Sequence, residues 1–351
     1  MRDKKKRIVN LIFLAAVFLL TVVGVLRGEN IDDLGASMMK TDGRWLLGAV
    51  FCVLAFIALG ALIIRIMMGR IRQPVGFGKC FLLSGIGYFF GNITPFAGGG
   101  PPMQIYYMKK EKVPISVSSL IMLLVTLMYK MVLVAVGFGL IIFGQGLLGR
   151  YFHGVLPLFG VGLFLNSGFC FLLILFIFHP TLAKKGMIKG LGWLEKKRLM
   201  KHKEGRVEKL SAAMDRYKST ASFFKDHVPV MILVFILSVV QRFVLFGATW
   251  FVFRAFGLSG TSPGTILILQ ASISVSADML PLPGGMGASE TLFLRLFESV
   301  FGAARVLPGM VLSRGISYYV ELFLCAVLTI IGHFYFGRRR EKNEEKLSEG
   351  A

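Results

Sequence analysis

A few polar residues stand inside long apolar stretches, and their types define a chemistry. Lys130 lies midway along 115–144, Arg242 midway along 229–254, and Arg314 and Glu321 fall within 308–336. Asp278, Glu290, Asn92 and Gln104 flank two Gly/Pro-rich interruptions. A charge at the centre of a membrane helix costs about 2.5–3.5 kcal/mol on insertion scales, so such residues face an interior or a water-filled cavity. Three cations of this kind are candidate phosphate contacts, and arginine forks suit phosphate best. The alternative is internal pairing of these cations with Glu321, Asp278 or Glu290. Arg314 and Glu321 are seven apart, which predicts a shared helix face. Asp278 ends one half-helix, where the dipole disfavours an acid, so it is a candidate proton carrier or partner for a cationic headgroup, and Glu321 joins it as a possible coupling residue. Glu290 opens the next half-helix, where the dipole favours it and a capping role is as reasonable as a functional one. Arg295 and Glu298, three apart, are expected to pair locally.

Catalytic chemistry is not indicated. No nucleophile–base pair or GxxxxGK[ST] phosphate loop can be read. The four cysteines (Cys52, Cys80, Cys170, Cys325) lack CxxC spacing, and the five histidines are scattered. The expectation is therefore no catalytic residue, no metal and no cofactor.

The elements that must position these residues follow from composition. The 351 residues are 55% apolar and only 17% charged, against about 25% charged in soluble domains. Long apolar runs exclude a soluble enzyme, a disordered tail and a disulfide scaffold, and predict an all-α integral membrane protein. The net charge of +21 sits in blocks at Arg2–Arg7, Arg65–Lys79, Lys109–Lys112, Lys184–Lys225 and Arg338–Lys346. Blocks between oily segments read as cytoplasmic loops against anionic lipid, not as a nucleic-acid surface. Apolar segments are expected at 8–26, 45–68, 80–91, 115–144, 155–178, 229–254, 263–277, 288–301 and 308–336. The first, with no A-x-A site after it, reads as a retained helix. Segment 184–226 carries Val207, Leu210, Met214, Tyr217, Ala221 and Phe224 at helical spacing, which predicts an amphipathic helix on the cytoplasmic leaflet. The alternative is a helix folded back on the bundle.

The interruptions cannot remain helical. Pro95, Gly98 and Gly99 break the first, and Pro281, Pro283, Gly284 and Gly285 the second. Basic blocks on both sides of the first predict a hairpin that enters and returns. Asn92–Gln104 aligns with Asp278–Glu290 without a gap at an offset of 186, and the same offset carries 45–68 onto 231–254. The expected architecture is one membrane domain, 1–351, with about six crossings and two broken re-entrant hairpins. Repeat A is 45–144 with hairpin 80–108, and repeat B is 229–336 with hairpin 263–301. Helices 8–26 and 155–178 and a tail at 337–351 complete it, with both termini cytoplasmic. The first unit begins outside and the second inside, so the repeat is inverted, as in many secondary transporters. Returning half-helices would aim their N-termini at a shared midplane point and favour an anion there.

The pattern N-x-x-P…G-G from Asn92 and P-x-P-G-G-x-G-x-x-E over Pro281–Glu290 resembles the flippase-like transmembrane domain of the lysylphosphatidylglycerol synthetases, the N-terminal half of the multiple peptide resistance factor (MprF). The resemblance spans roughly 8–336. It implies an inner-membrane protein, tied by its family to antimicrobial-peptide resistance, that moves aminoacylated phosphatidylglycerol or a related anionic lipid between leaflets. Full-length members add a soluble synthase, and the chain is expected to be a stand-alone member without it, so a lysyltransferase label does not carry over. The expected partners are membrane phospholipids. A separately encoded lipid-modifying enzyme and a homo-oligomer stay open, as do a membrane subunit of lipid or glycan modification and a secondary transporter of a solute or ion.

Overall fold

A computed structural model describes residues 38–71, 73–179, 217–219, 221, 222, 224 and 227–348. The expected first helix, 8–26, most of 184–226 and residues 349–351 lie outside the described residues. Among those described, every regular element is helical. Five helices are long and apolar enough to cross a membrane: α1 (Gly43–Arg70), α4 (Ile115–Phe143), α6 (Leu156–Phe178), α7 (Val228–Ala255) and Ala303–Phe336. Each exceeds the ~20 residues that an ~30 Å hydrocarbon core requires.

Asp42 caps α1, its carboxylate accepting from the Arg44 N–H at 2.9 Å. α1 packs along α7, the two 28-residue helices meeting at a Trp45–Trp250–Phe251 cluster near one end. Deeper in the bundle, Gly60 lets three helices converge. A Cβ there would overlap Tyr88 Oη and stand 2.6 Å from Ser84 Oγ and 2.8 Å from Gln241 Nε2. Helix α4 runs 29 residues without a break.

Two shorter helical pairs fill the remaining places. The first is α2 (Phe77–Asn92), a 3-10 turn at Pro95–Ala97, and α3 (Gly100–Lys110). The second is α8 (Pro263–Ala277), a 3-10 turn at Pro283–Gly285, and α9 (Ala288–Phe301). At about 1.5 Å per residue, the 16 residues of α2 reach roughly 24 Å, short of the core thickness. The two turns have one backbone shape: Phe96 sits at φ 57, ψ 18 and Gly284 at φ 58, ψ 16. Ala97 and Gly285 follow, at φ 52 and φ 65. These pairs are 188 positions apart, not 186. The second unit therefore holds two extra residues between Asp278 and Gly284. Gly284 matches Phe96 rather than Gly98, and Glu290 matches Pro102 rather than Gln104. Left-handed backbone at Phe96 and Ala97 costs about 1–3 kcal/mol per residue; glycine avoids that cost at 284 and 285.

The last span also departs from expectation. It consists of α10 (Ala303–Arg314), a π-turn at Gly315–Val320 and α11 (Glu321–Ser348). A π-turn packs more residues into each turn than an α-helix. Arg314 and Glu321, seven apart across this turn, both line one cavity, and each takes a different partner.

Of the basic amphipathic segment, Tyr217, Ala221 and Phe224 are described and buried, within one apolar cluster with Leu173 and Ile177 of α6. Tyr217 Oη donates to the Phe176 carbonyl at 3.1 Å. This part of the predicted lipid-facing stripe is covered by the bundle instead.

Candidate functional site

A cavity of about 640 Å³ opens inside the bundle, its wall drawn from α1, α2, α3, α4, α6, α7, α8, α9, the last span and both turns. Asn92, Gln104, Lys130, Arg242, Asp278, Arg314 and Glu321 all line it, as do Gly98, Gly284 and Gly285. Glu290, Gly99, Pro95, Pro281 and Pro283 do not reach its wall. Residues up to 229 positions apart are thus brought to one chamber.

Asp278 is held on both oxygens. Lys130 Nζ pairs with Oδ2, and the neighbouring Tyr129 hydroxyl donates to Oδ1. Lys130 is 5% exposed and also donates to Asn166 Oδ1 at 3.3 Å. Asn166 in turn donates to the Gly162 and Val275 carbonyls at 2.9 and 3.1 Å. Asp278, a candidate proton carrier or headgroup partner in the sequence, takes the internal pairing that the sequence left open as its alternative. Removing one member of such a pair costs about 3–5 kcal/mol.

Arg314 and Glu290 brace the second turn. Arg314 Nε donates to Glu290 Oε1 and its terminal nitrogen to the Gly284 carbonyl, each at 2.9 Å. Glu290 Oε2 accepts the Gly287 N–H at 2.7 Å. Glu290 thus caps α9 and neutralises Arg314 at once. Gly284 is required twice, by its φ of 58 and because a Cβ would overlap the Tyr318 ring.

The first turn is held differently. Asn92 Nδ2 donates to Glu321 Oε1 at 2.9 Å, and Tyr318 Oη donates to the Asn92 carbonyl at 3.1 Å. Gln104 Nε2 donates to the Leu83 carbonyl at 3.0 Å and ties the two arms of its own hairpin. It contributes a wall rather than a free amide.

Arg242 stands apart. Its guanidinium lies 3.6 Å from the centroid of the Tyr129 ring and 5.1 Å from that of Phe56. No carboxylate pairs with it within 4.0 Å among the described residues, and its buried Nε has no hydrogen-bond partner. Aromatic faces hold the cation by its π-electron contact and leave its forked donors for an anion.

The helix N-termini contribute less than the hairpins predicted. Pro101 and Pro102 remove two N–H groups from the first turn of α3, and Glu290 takes the Gly287 N–H at α9. The cations that line the cavity are side chains, Lys130, Arg242 and Arg314.

Sequence reasoning missed Tyr129, Tyr318, Gln241 and Asn166. Neutral groups pay no charge penalty, so they do not stand out in an apolar run; Asn166 within 155–178 was the clearest available signal. Arg295 and Glu298 form no ion pair among the described residues. No three His, Cys, Asp or Glu among the described residues group to hold a metal ion.

No curated protein matches the sequence. The family model described as the lysylphosphatidylglycerol synthase TM region matches residues 7–325, which takes in every residue that lines the cavity and the expected helix 8–26. This multi-pass membrane protein belongs to the lysylphosphatidylglycerol synthase transmembrane-region family.

Proposed function

We propose that the protein translocates a phospholipid with an anionic phosphate headgroup between leaflets, aminoacylated phosphatidylglycerol such as lysylphosphatidylglycerol being the substrate its family favours. The observation that carries this reading is Arg242: a cation with no ion-pair partner among the described residues, stacked on Tyr129, in a chamber that both backbone breaks border. A volume of about 640 Å³ falls in the ordinary range for small-ligand sites, about 300–1,000 Å³. It suits a headgroup while acyl chains stay in lipid. Non-helical backbone at membrane depth is tolerated where it lines such a chamber.

In this reading the two short helical pairs are re-entrant hairpins of an inverted repeat spanning 45–144 and 229–336. Helix 8–26 supplies a sixth crossing, the basic blocks put both termini in the cytoplasm, and the host is the inner membrane. The residues that bind are Arg242 first, with Lys130 and Arg314 as exchangeable partners of Asp278 and Glu290. The chamber offers binding groups rather than a nucleophile with its base.

Flipping in proteoliposomes tests this. Fluorescent phosphatidylglycerol and its lysyl ester are reconstituted with purified protein, and label in the outer leaflet is quenched. Wild type is expected to expose the protected half of the label, and Arg242→Ala to slow this at least about tenfold, the worth of one charge-assisted phosphate contact. Folded wild-type protein that flips neither lipid, with or without a pH gradient, overturns the reading.

A further inference from the structure

The acids of the chamber divide into two kinds. Asp278 is matched by Lys130 and Glu290 by Arg314. Glu321 is 5% exposed, and its hydrogen-bond partner is a neutral amide, Asn92 Nδ2 at 2.9 Å. No cation pairs with it within 4.0 Å among the described residues. Arg242 on the opposite helix is likewise unmatched. Both line the same cavity.

Counting charges then gives a rule. Among the described residues, Asp278 offsets Lys130 and Glu290, behind the wall, offsets Arg314, so with Glu321 ionised Arg242 is offset as well and an anion meets a neutral chamber. With Glu321 protonated, the chamber carries one net positive charge, and it is on Arg242. We infer that anion binding at Arg242 is coupled to protonation of Glu321, so the chamber takes an anion and a proton together. This rests on the anion-site reading of Arg242 and adds to it a source of drive.

The groups that face Glu321 agree with that role. Asn92 and Tyr88 approach from α2, Arg242 from α7, and Arg314, Tyr318 and Cys325 from its own span. Arg314 is spent on Glu290 and the Gly284 carbonyl. Among the described residues, Arg242 is therefore the cation acting on Glu321 that has no carboxylate of its own. The Asn92 contact also lies on the first turn, so the proton is held where one hairpin meets the last span.

The test is calorimetric binding of dioctanoyl-phosphatidylglycerol to the detergent-solubilised full chain between pH 5 and 8. The phosphodiester stays anionic throughout, so any pH dependence belongs to the protein. Repeating the titration in buffers of different ionisation heat counts the protons taken up. Linkage of one proton to one anion predicts tighter binding as pH falls, by up to about tenfold per pH unit, with uptake approaching one proton. Glu321→Gln should bind as wild type does at low pH, with no proton uptake and no slope. Glu321→Asp, which keeps a titrating group, should keep the uptake. Uptake that persists in folded Glu321→Gln, or is absent from wild type, overturns the coupling. Arg242→Gln binding as tightly as wild type at every pH overturns the anion site beneath it. Glycerophosphoglycerol, the same headgroup without chains, separates sources: equal affinity assigns the coupled anion to a free phosphodiester, and weaker affinity to a lipid.

Discussion

At the scale of single residues, the chamber is a set of pairs whose worth depends on burial. Lys130–Asp278 is the clearest case, since both carboxylate oxygens are engaged and the lysine sits deep in α4. Asp278→Asn is expected to destabilise the protein by about 3–5 kcal/mol, because it strands a buried ammonium. Lys130→Met should do the same, and the double variant should lose much less than the sum; thermal unfolding in detergent measures all three. Additive losses would show that the two side chains do not act as a pair. Gly284→Ala is expected to cost at least about 1–3 kcal/mol from its backbone alone, with the clash against Tyr318 added.

At the scale of elements, packing turns on where backbones come close. Gly60 and Gly69 lie on one helix, α1, yet only Gly60 has neighbours where a Cβ would stand. Gly60→Ala should therefore lower stability by about 1–3 kcal/mol through overpacking, while Gly69→Ala is neutral or stabilising by up to about 1 kcal/mol through helix propensity. Parallel melting curves of the two variants check this, and equal shifts would refute the close approach. The π-turn at Gly315–Val320 is a second element-level device. It lies between Arg314, which braces the second turn, and Glu321, which holds the first.

At the scale of the whole molecule, the proposed topology makes an accessibility prediction. With the four native cysteines replaced, single cysteines at Gly76 and Lys112, which flank the first hairpin, should react from the same face of the membrane. Cysteines at Ser262 and Gly302, which flank the second, should react from the opposite face. Impermeant maleimide labelling of intact cells against inverted vesicles reads this directly. Labelling of Gly76 and Lys112 from opposite faces would make the first hairpin a full crossing and remove the inverted repeat.

The class of fold is legible in the sequence, because apolar length and helix-breaking Pro and Gly are local properties that no packing can override in lipid. It also singled out the charged candidates, since each pays a burial cost visible without a partner: Lys130, Arg242, Asp278, Glu290, Arg314 and Glu321. Only tertiary structure decided which of them are matched. Lys130 meets Asp278 across 148 positions and Asn92 meets Glu321 across 229, and no local pattern encodes such distances. The two-residue shift between the turns is of the same kind, because backbone φ at Phe96 and Gly284 is set by what the chain packs against. Arg242 was one of three equal cations in the sequence; its lack of a counterion in the folded chamber is what sets it apart.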